Sequence, residues 1–183
     1  LTVSETPGDG TVKIFVAVAD VDSLVRKGRA IDGHARHNTT SIYTSVEVFS
    51  MLPERLSTDL TSLNPGEDRA AIVVEMIIGD DGRCRGSEVY RAVVSNHAKL
   101  AYNALAPWLE GDAPMPEGVR AVRGLNENLR TQDQVAQRLR ALRYEHGALN
   151  LETVEARPVF DRGEIRELRI DRKNRAKELI EDF

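Results

Sequence analysis

Two aspartates, Asp20 and Asp22, close an apolar alternating stretch in "ADVDS". The carboxyl ends of strands are common positions for functional groups in α/β proteins. A D-x-D pair also offers the hard oxygen donors that a divalent cation takes. The same spacing suits a cap on the following turn, so Asp20 reads either as a metal ligand or as a capping group. Tyr43, in "TSIYTS", is either packing filler or a platform on which a nucleobase stacks. Tyr102, in "KLAYNAL", either offers its hydroxyl to a phosphate or belongs to the core. The four histidines, His34, His37, His97 and His146, stand in no metal-ligand spacing and read as surface or capping residues. No glycine-rich phosphate loop is present, and Ser41 and Ser62 lack the surroundings of a nucleophile. Cys84 is the only cysteine, which excludes an internal disulfide and makes a cytoplasmic location the expectation.

These groups need elements to hold them. "TVKIFVAVAD" alternates Val12, Ile14, Val16 and Val18 and reads as a strand. A short helix is expected from about Ala30, and a short β segment at "TTSIYTS". "PERLSTDLTSL" reads as a helix, with Pro53 in its first turn and Leu56, Leu60 and Leu63 on one face. "NPGE" suits a turn, "RAAIVVEMII" a buried strand, "GDDG" a hairpin turn and "RCRGSEVYRAVVS" the returning strand. Helices are expected over "NHAKLAYNALAPWLEG", with Pro107 tightening its end, and over "VRAVRGLNENLRTQDQVAQRLRALRYEHG", with Gly124 weakening its continuity. "VEARPVFDRGEIRELRID" reads as a hairpin and "RKNRAKELIEDF" as the start of a helix.

The whole chain has 183 residues, 41% of them hydrophobic and 30% charged, which suits one globular domain rather than a disordered chain. No run approaches the ~18 apolar residues of a membrane span, so no membrane partner is expected. "LTVSETPGDGTV" lacks the basic and apolar regions of a signal peptide. The net charge is −4, but Lys and Arg outnumber Asp and Glu by 14 to 9 between residues 118 and 177. A basic segment on an acidic body is either a solvated helix face or a mark of an anionic partner.

The order of the segments carries more. "VAVADVDSLV", "IDGHARHNTTSIY", "MLPERLSTDLTSLNPGEDRAA", "EVYRAVVSNHAKLAYNAL", "HGALNLETVEARPVF" and "NRAKELIEDF" follow one another in the chain. Together they closely resemble the catalytic RNB domain of the ribonuclease II/ribonuclease R family. The long, irregular spacing of the "MLPE" block makes chance agreement a poor explanation. The resemblance implies an α/β to α+β fold, with a mixed, partly antiparallel sheet packed by helices around an RNA channel. It implies a 3′→5′ exoribonuclease that hydrolyses single-stranded RNA to nucleoside 5′-monophosphates with a metal-activated water. The alternative is a catalytically inactive RNB-like domain that binds RNA.

In the family, Mg²⁺ is held by an aspartate cluster, D-x-D-D-A, just ahead of the segment that "LTVSE" resembles. The Mg²⁺ ligands are therefore expected upstream of Leu1, with Asp20 the one candidate inside the chain. Residues 1–183 are expected to be the central part of the domain, cut short at both ends, without the flanking OB-type RNA-binding domains. A monomer acting on single-stranded RNA is expected. By position, the resemblance gives Tyr43 the role of stacking on a nucleotide near the 3′ end. It gives Tyr102 and Glu181 contacts to the terminal nucleotides at the active site. Leu151 stands where the family has a second stacking aromatic. Asn38 and Thr39 replace an arginine and a glycine, since "NTTS" stands for the family's "RGTS". Arg69 either faces a phosphate or braces the site's carboxylates.

Overall fold

The computed structural model describes residues 1–44, 47–149, 155–161 and 164–183. Along the chain run β1 (Thr2–Glu5), β2 (Thr11–Ala19), α1 (Ala30–Asn38), β3 (Ile42–Tyr43), β4 (Val48–Phe49), β5 (Asp68–Gly79) and β6 (Cys84–Ser95). They are followed by α2 (Tyr102–Glu110), α3 (Glu117–Arg120), α4 (Leu125–Glu145), β7 (Glu155–Asp161), β8 (Glu164–Asp171) and α5 (Arg175–Glu181). No described helix is long and apolar enough to cross a membrane.

Alternation builds the main sheet. Val12, Ile14 and Val16 of β2 point to one face, where Ile14 pairs with Met76 and Val12 with Ile78 of β5. The four strands run in the order β1-β2-β5-β6, and every pair is antiparallel. The α+β end of the expected range is thus the one realised. Among the described residues, parallel pairing is confined to a single bridge between Pro65 and Asn96.

Helix α4 covers part of one sheet face, its buried Val135 packing with Val12, Ile14 and Ile78. The same helix turns Leu129 and Ala136 toward Leu105, Trp108 and Leu109 of α2, Val119 of α3, and Ala176 and Leu179 of α5. Phe183 joins both clusters. The "GDDG" hairpin presses on α4. Gly82 has φ +74°, and a Cβ there would stand 2.8 Å from the Arg138 carbonyl oxygen, so only glycine fits. On the opposite sheet face, Leu1, Phe15, Ala17, Val73, Ala92 and Val94 line an apolar hollow of about 270 Å³. At its edge Lys13 bonds Glu75 at 2.8 Å, which holds the Glu75 carboxyl below its ordinary range and raises the Lys13 ammonium.

Three elements depart from expectation, each for a local reason. Arg55–Leu60 is a wide π-type turn rather than an α-helix. Hydroxyls reach back five residues to carbonyls: Ser57 to Leu52 at 2.9 Å, Thr61 to Leu56 at 2.5 Å and Ser62 to Ser57 at 3.2 Å. Such back-bonding competes with the regular helical ladder. Next, α2 begins only at Tyr102. Residues 96–101 stay out of the helix because the buried Asn96 is committed elsewhere: its amide donates to the Leu63 carbonyl at 2.8 Å and its side-chain oxygen accepts from Ala98 N–H at 3.0 Å. Finally, the long helix is broken at Gly124, whose φ of 77° separates α3 from α4.

Candidate nucleic-acid interface

Tyr43 stands on the two-stranded hairpin β3–β4, where it pairs with Val48 while Ile42 pairs with Phe49. It is 78% exposed, and Ile42, Val48 and Phe49 around it are each at least half exposed. Apolar surface gathered on so small a hairpin marks an interaction surface rather than a core. Met51 N–H, donating to Ser41 Oγ at 2.9 Å, ties the hairpin's two ends together.

The entry to this hairpin is strained. Thr39 has φ 60° and ψ −37° and is the only non-glycine residue with positive φ among those described. Thr40 N–H bonds the Asn38 carbonyl at 2.7 Å, closing a γ-turn around Thr39. Positive-φ γ-turns are strained, and a β-branched residue suffers most in them. Glycine, which the family resemblance expects here, would relieve the strain. Its freedom in the unfolded chain and the loss of the Thr39 hydroxyl bond to Asn38 offset part of the gain. Thr39→Gly should therefore stabilise the fold by about 1 kcal/mol, raising Tm by roughly 2–4 °C in a thermal melt.

Tyr102 is the first residue of α2 and is 46% exposed. The extended conformation of Ala101 turns the chain into the helix just before it. Helix α5 lies against α2. Its N-cap Asn174 accepts from Lys177 N–H at 3.0 Å and donates to Asn103 Oδ1 at 3.0 Å, next to Tyr102. Glu181 ends the helix and ion-pairs with Lys173. Residues seven apart share one helix face, so Asn174 and Glu181 stand on the same side of α5, about 10 Å apart along its axis. One helix thus relates Tyr102 and Glu181, while Tyr43 sits on its own hairpin. Leu151 lies outside the described residues.

Arg69, second residue of β5, is turned to protein carboxylates. Its guanidinium reaches Asp59 at 3.4 Å and pairs with Glu67. It joins the π-type turn to the "NPGED" connection. That connection is fixed from the other side by Asn96, whose carbonyl accepts from Gly66 N–H at 2.9 Å. The carboxylates that Arg69 meets belong to its own segment, neither a phosphate nor the carboxylates of an active site.

Asp20 caps the 3₁₀ turn Val21–Ser23, accepting from Ser23 N–H at 3.3 Å. Its other oxygen lies 3.0 Å from Arg91 Nε, and Arg91 also reaches Asp22 at 3.3 Å. The two candidate metal ligands therefore share one guanidinium. Elsewhere too, buried carboxylates face arginine. Asp133 receives two hydrogen bonds from Arg175, at 2.8 and 2.7 Å, and the bond raises the Arg175 pKa above its ordinary value. Asp182 is held by Arg140 and Arg143. Among the described residues no group of three or more His, Cys, Asp or Glu converges in a way that could hold a metal.

Five arginines of the basic segment find partners within the protein, while others, Arg120 and Arg169 among them, stay exposed. Arg130 lies over the Trp108 ring at 4.7 Å, Arg138 meets Asp80 at 3.2 Å, and Arg140, Arg143 and Arg175 meet buried aspartates. These pairs were not predicted from sequence. Nothing in the spacing tells which arginines pair within the protein.

Comparison with known proteins agrees with this architecture. The family model for the RNB domain matches residues 1–183. Ribonuclease R of Vibrio cholerae is 37% identical over 179 residues, covering 97% of this chain and 21% of the relative. Ribonuclease R of Escherichia coli is 37% identical over 175 residues, covering 94% and 21%. The chain thus spans about a fifth of the length of these curated relatives. Mycoplasma genitalium RNase R, solved in complex with ribose-methylated single-stranded RNA, superposes with a TM-score of 0.89 at 27% identity, over 99% of this chain and 28% of that one. Yeast Ssd1, described as a pseudonuclease, shares the fold at a TM-score of 0.64 and 22% identity, over 79% of this chain and 16% of that one. By sequence along its whole length and by the fold that carries Tyr43, Tyr102 and Glu181, this chain belongs to the RNB-domain family of ribonuclease R.

Proposed function

We propose that residues 1–183 form the central part of a 3′→5′ exoribonuclease that degrades single-stranded RNA to nucleoside 5′-monophosphates. The observation that carries this reading is the near-complete superposition on an RNase R solved with single-stranded RNA. In this reading Tyr43 stacks on a base near the 3′ end, a contact that tolerates any sequence because every base has a π face. Tyr102 and Glu181 touch the terminal nucleotides, where polar groups can sense the 2′-hydroxyl. Leu151 packs against a base without an aromatic face. Arg69 braces the connection ahead of β5.

Mg²⁺ is the implied cofactor, supplying charge stabilisation at the reacting phosphate when bound. Among the described residues no carboxylate cluster fits it: Asp20 and Asp22 share Arg91, and the buried Asp133 and Asp182 are each held by arginine. In this reading the Mg²⁺ ligands lie upstream of Leu1, as the family resemblance implies.

The test follows single-stranded RNA labelled at either end, incubated with the longer protein and Mg²⁺. Stepwise loss of length from the 3′ end with release of nucleoside 5′-monophosphates is expected. Internal cuts would overturn the polarity. Salt-dependent binding with no shortening would favour the inactive RNA-binding alternative.

A further inference from the structure

The last turn of α5 is gripped from α4. Asp182 is 2% exposed at its side chain, and both its oxygens are engaged. Arg140 donates from Nε at 2.9 Å and approaches through a second nitrogen at 2.8 Å, while Arg143 pairs with the other oxygen. Arg140 also reaches Glu178, one turn earlier on α5, at 2.5 Å. Buried ion pairs of this kind are weak contributors to net stability compared with apolar packing. They hold geometry, and what they hold here is the residue next to Glu181.

A seven-residue helix frays readily at its end, where its carbonyls lack intrahelical partners. Glu181 itself is half exposed, with Lys173 as its ion-pair partner. The buried Leu179 and the adjoining Phe183 anchor this turn by packing, and the clamp on Glu178 and Asp182 adds directional contacts from α4 beside Glu181. Arg143 lies in the last turn of α4, directly before the segment that leads to Leu151.

We propose that Arg140 and Arg143 are positioning residues for the reaction: through Asp182 they set the orientation of Glu181 toward the 3′-terminal nucleotides. The proposal rests on the reading of Glu181 as a group that touches those nucleotides.

The test is a double-mutant cycle in the longer enzyme, assayed on single-stranded RNA well below the melting temperature of every variant. Arg143→Ala should lower kcat at least 10-fold while changing KM less than 3-fold. Arg143→Lys, which keeps the charge but loses the forked donors, should fall between it and the parent. In a Glu181→Ala background, Arg143→Ala should lower kcat no further. Val12→Ala, a core change of the main sheet, serves as the stability control and should leave kcat within 3-fold. Equal losses from Arg143→Ala in both backgrounds, or a kcat no lower than that of Val12→Ala, would overturn the proposal. If Glu181→Ala alone leaves kcat unchanged, the reading of Glu181 falls and the proposal with it. If Arg143→Ala does not fold, Arg143→Lys carries the same comparison in both backgrounds.

Discussion

Tyr43→Ala in the longer enzyme should lengthen the final oligonucleotide by one or more residues while leaving the rate on long RNA nearly unchanged. The side chain is 78% exposed on a two-stranded hairpin, so its removal takes little from the core. Surface changes of this sort usually shift stability by less than about 0.5 kcal/mol. What is lost is a stacking platform worth about 1–3 kcal/mol per base, or roughly 5- to 150-fold in retention of a short RNA. A long substrate holds on through many other contacts and does not register the loss. A short remnant depends on the last few, and it leaves earlier. A 5′-labelled single-stranded RNA resolved on a denaturing gel reads the limit product directly. Tyr43→Phe keeps the π face and should keep the parent product. An unchanged limit product for Tyr43→Ala would remove the stacking role.

The same hairpin shows where sequence reasoning reaches and where it stops. Alternation makes β2 legible because one face of a half-buried strand must be apolar at every second residue. The "GDDG" turn is legible because few residues tolerate its backbone, and Gly82 is doubly constrained by the approach of α4. The leucine spacing over 53–63 suggests an α-helix, yet Ser57, Thr61 and Ser62 widen the turn with their own hydroxyls. A periodic apolar pattern does not record that competition. For Tyr43, residue type alone leaves filler and platform open, and the family resemblance supplies the functional choice. On the hairpin the side chain is exposed and fills no core among the described residues. The clamp was illegible for another reason. Arg143 and Asp182 are 39 residues apart, and an ion pair across such a separation leaves no period in the sequence. It is visible only once α4 and α5 are packed.

That packing also bears on what residues 1–183 can do alone. The isolated segment should release no nucleotide from single-stranded RNA, with or without Mg²⁺, a loss of about 10⁶-fold or more against an active enzyme. Mg²⁺ demands near-octahedral oxygen ligands and gives up its waters reluctantly, so a site for it needs carboxylates free of competing cations. Here Arg91 stands 3.0 Å from Asp20 and 3.3 Å from Asp22, and a metal would have to displace it. Asp133 and Asp182 are buried and already engaged by Arg175 and by Arg140 and Arg143, so a metal would have to displace those arginines as well. The measurement is release of nucleoside monophosphate by the purified segment, with circular dichroism confirming that it is folded. Salt-sensitive binding of single-stranded RNA without hydrolysis is the companion expectation, carried by Tyr43 and its neighbours. Mg²⁺-dependent shortening of RNA by the folded segment would place the metal ligands inside residues 1–183. The pairing of Arg91 with Asp20 would then be the first contact to re-examine, since its rupture would free two carboxylates at the end of β2.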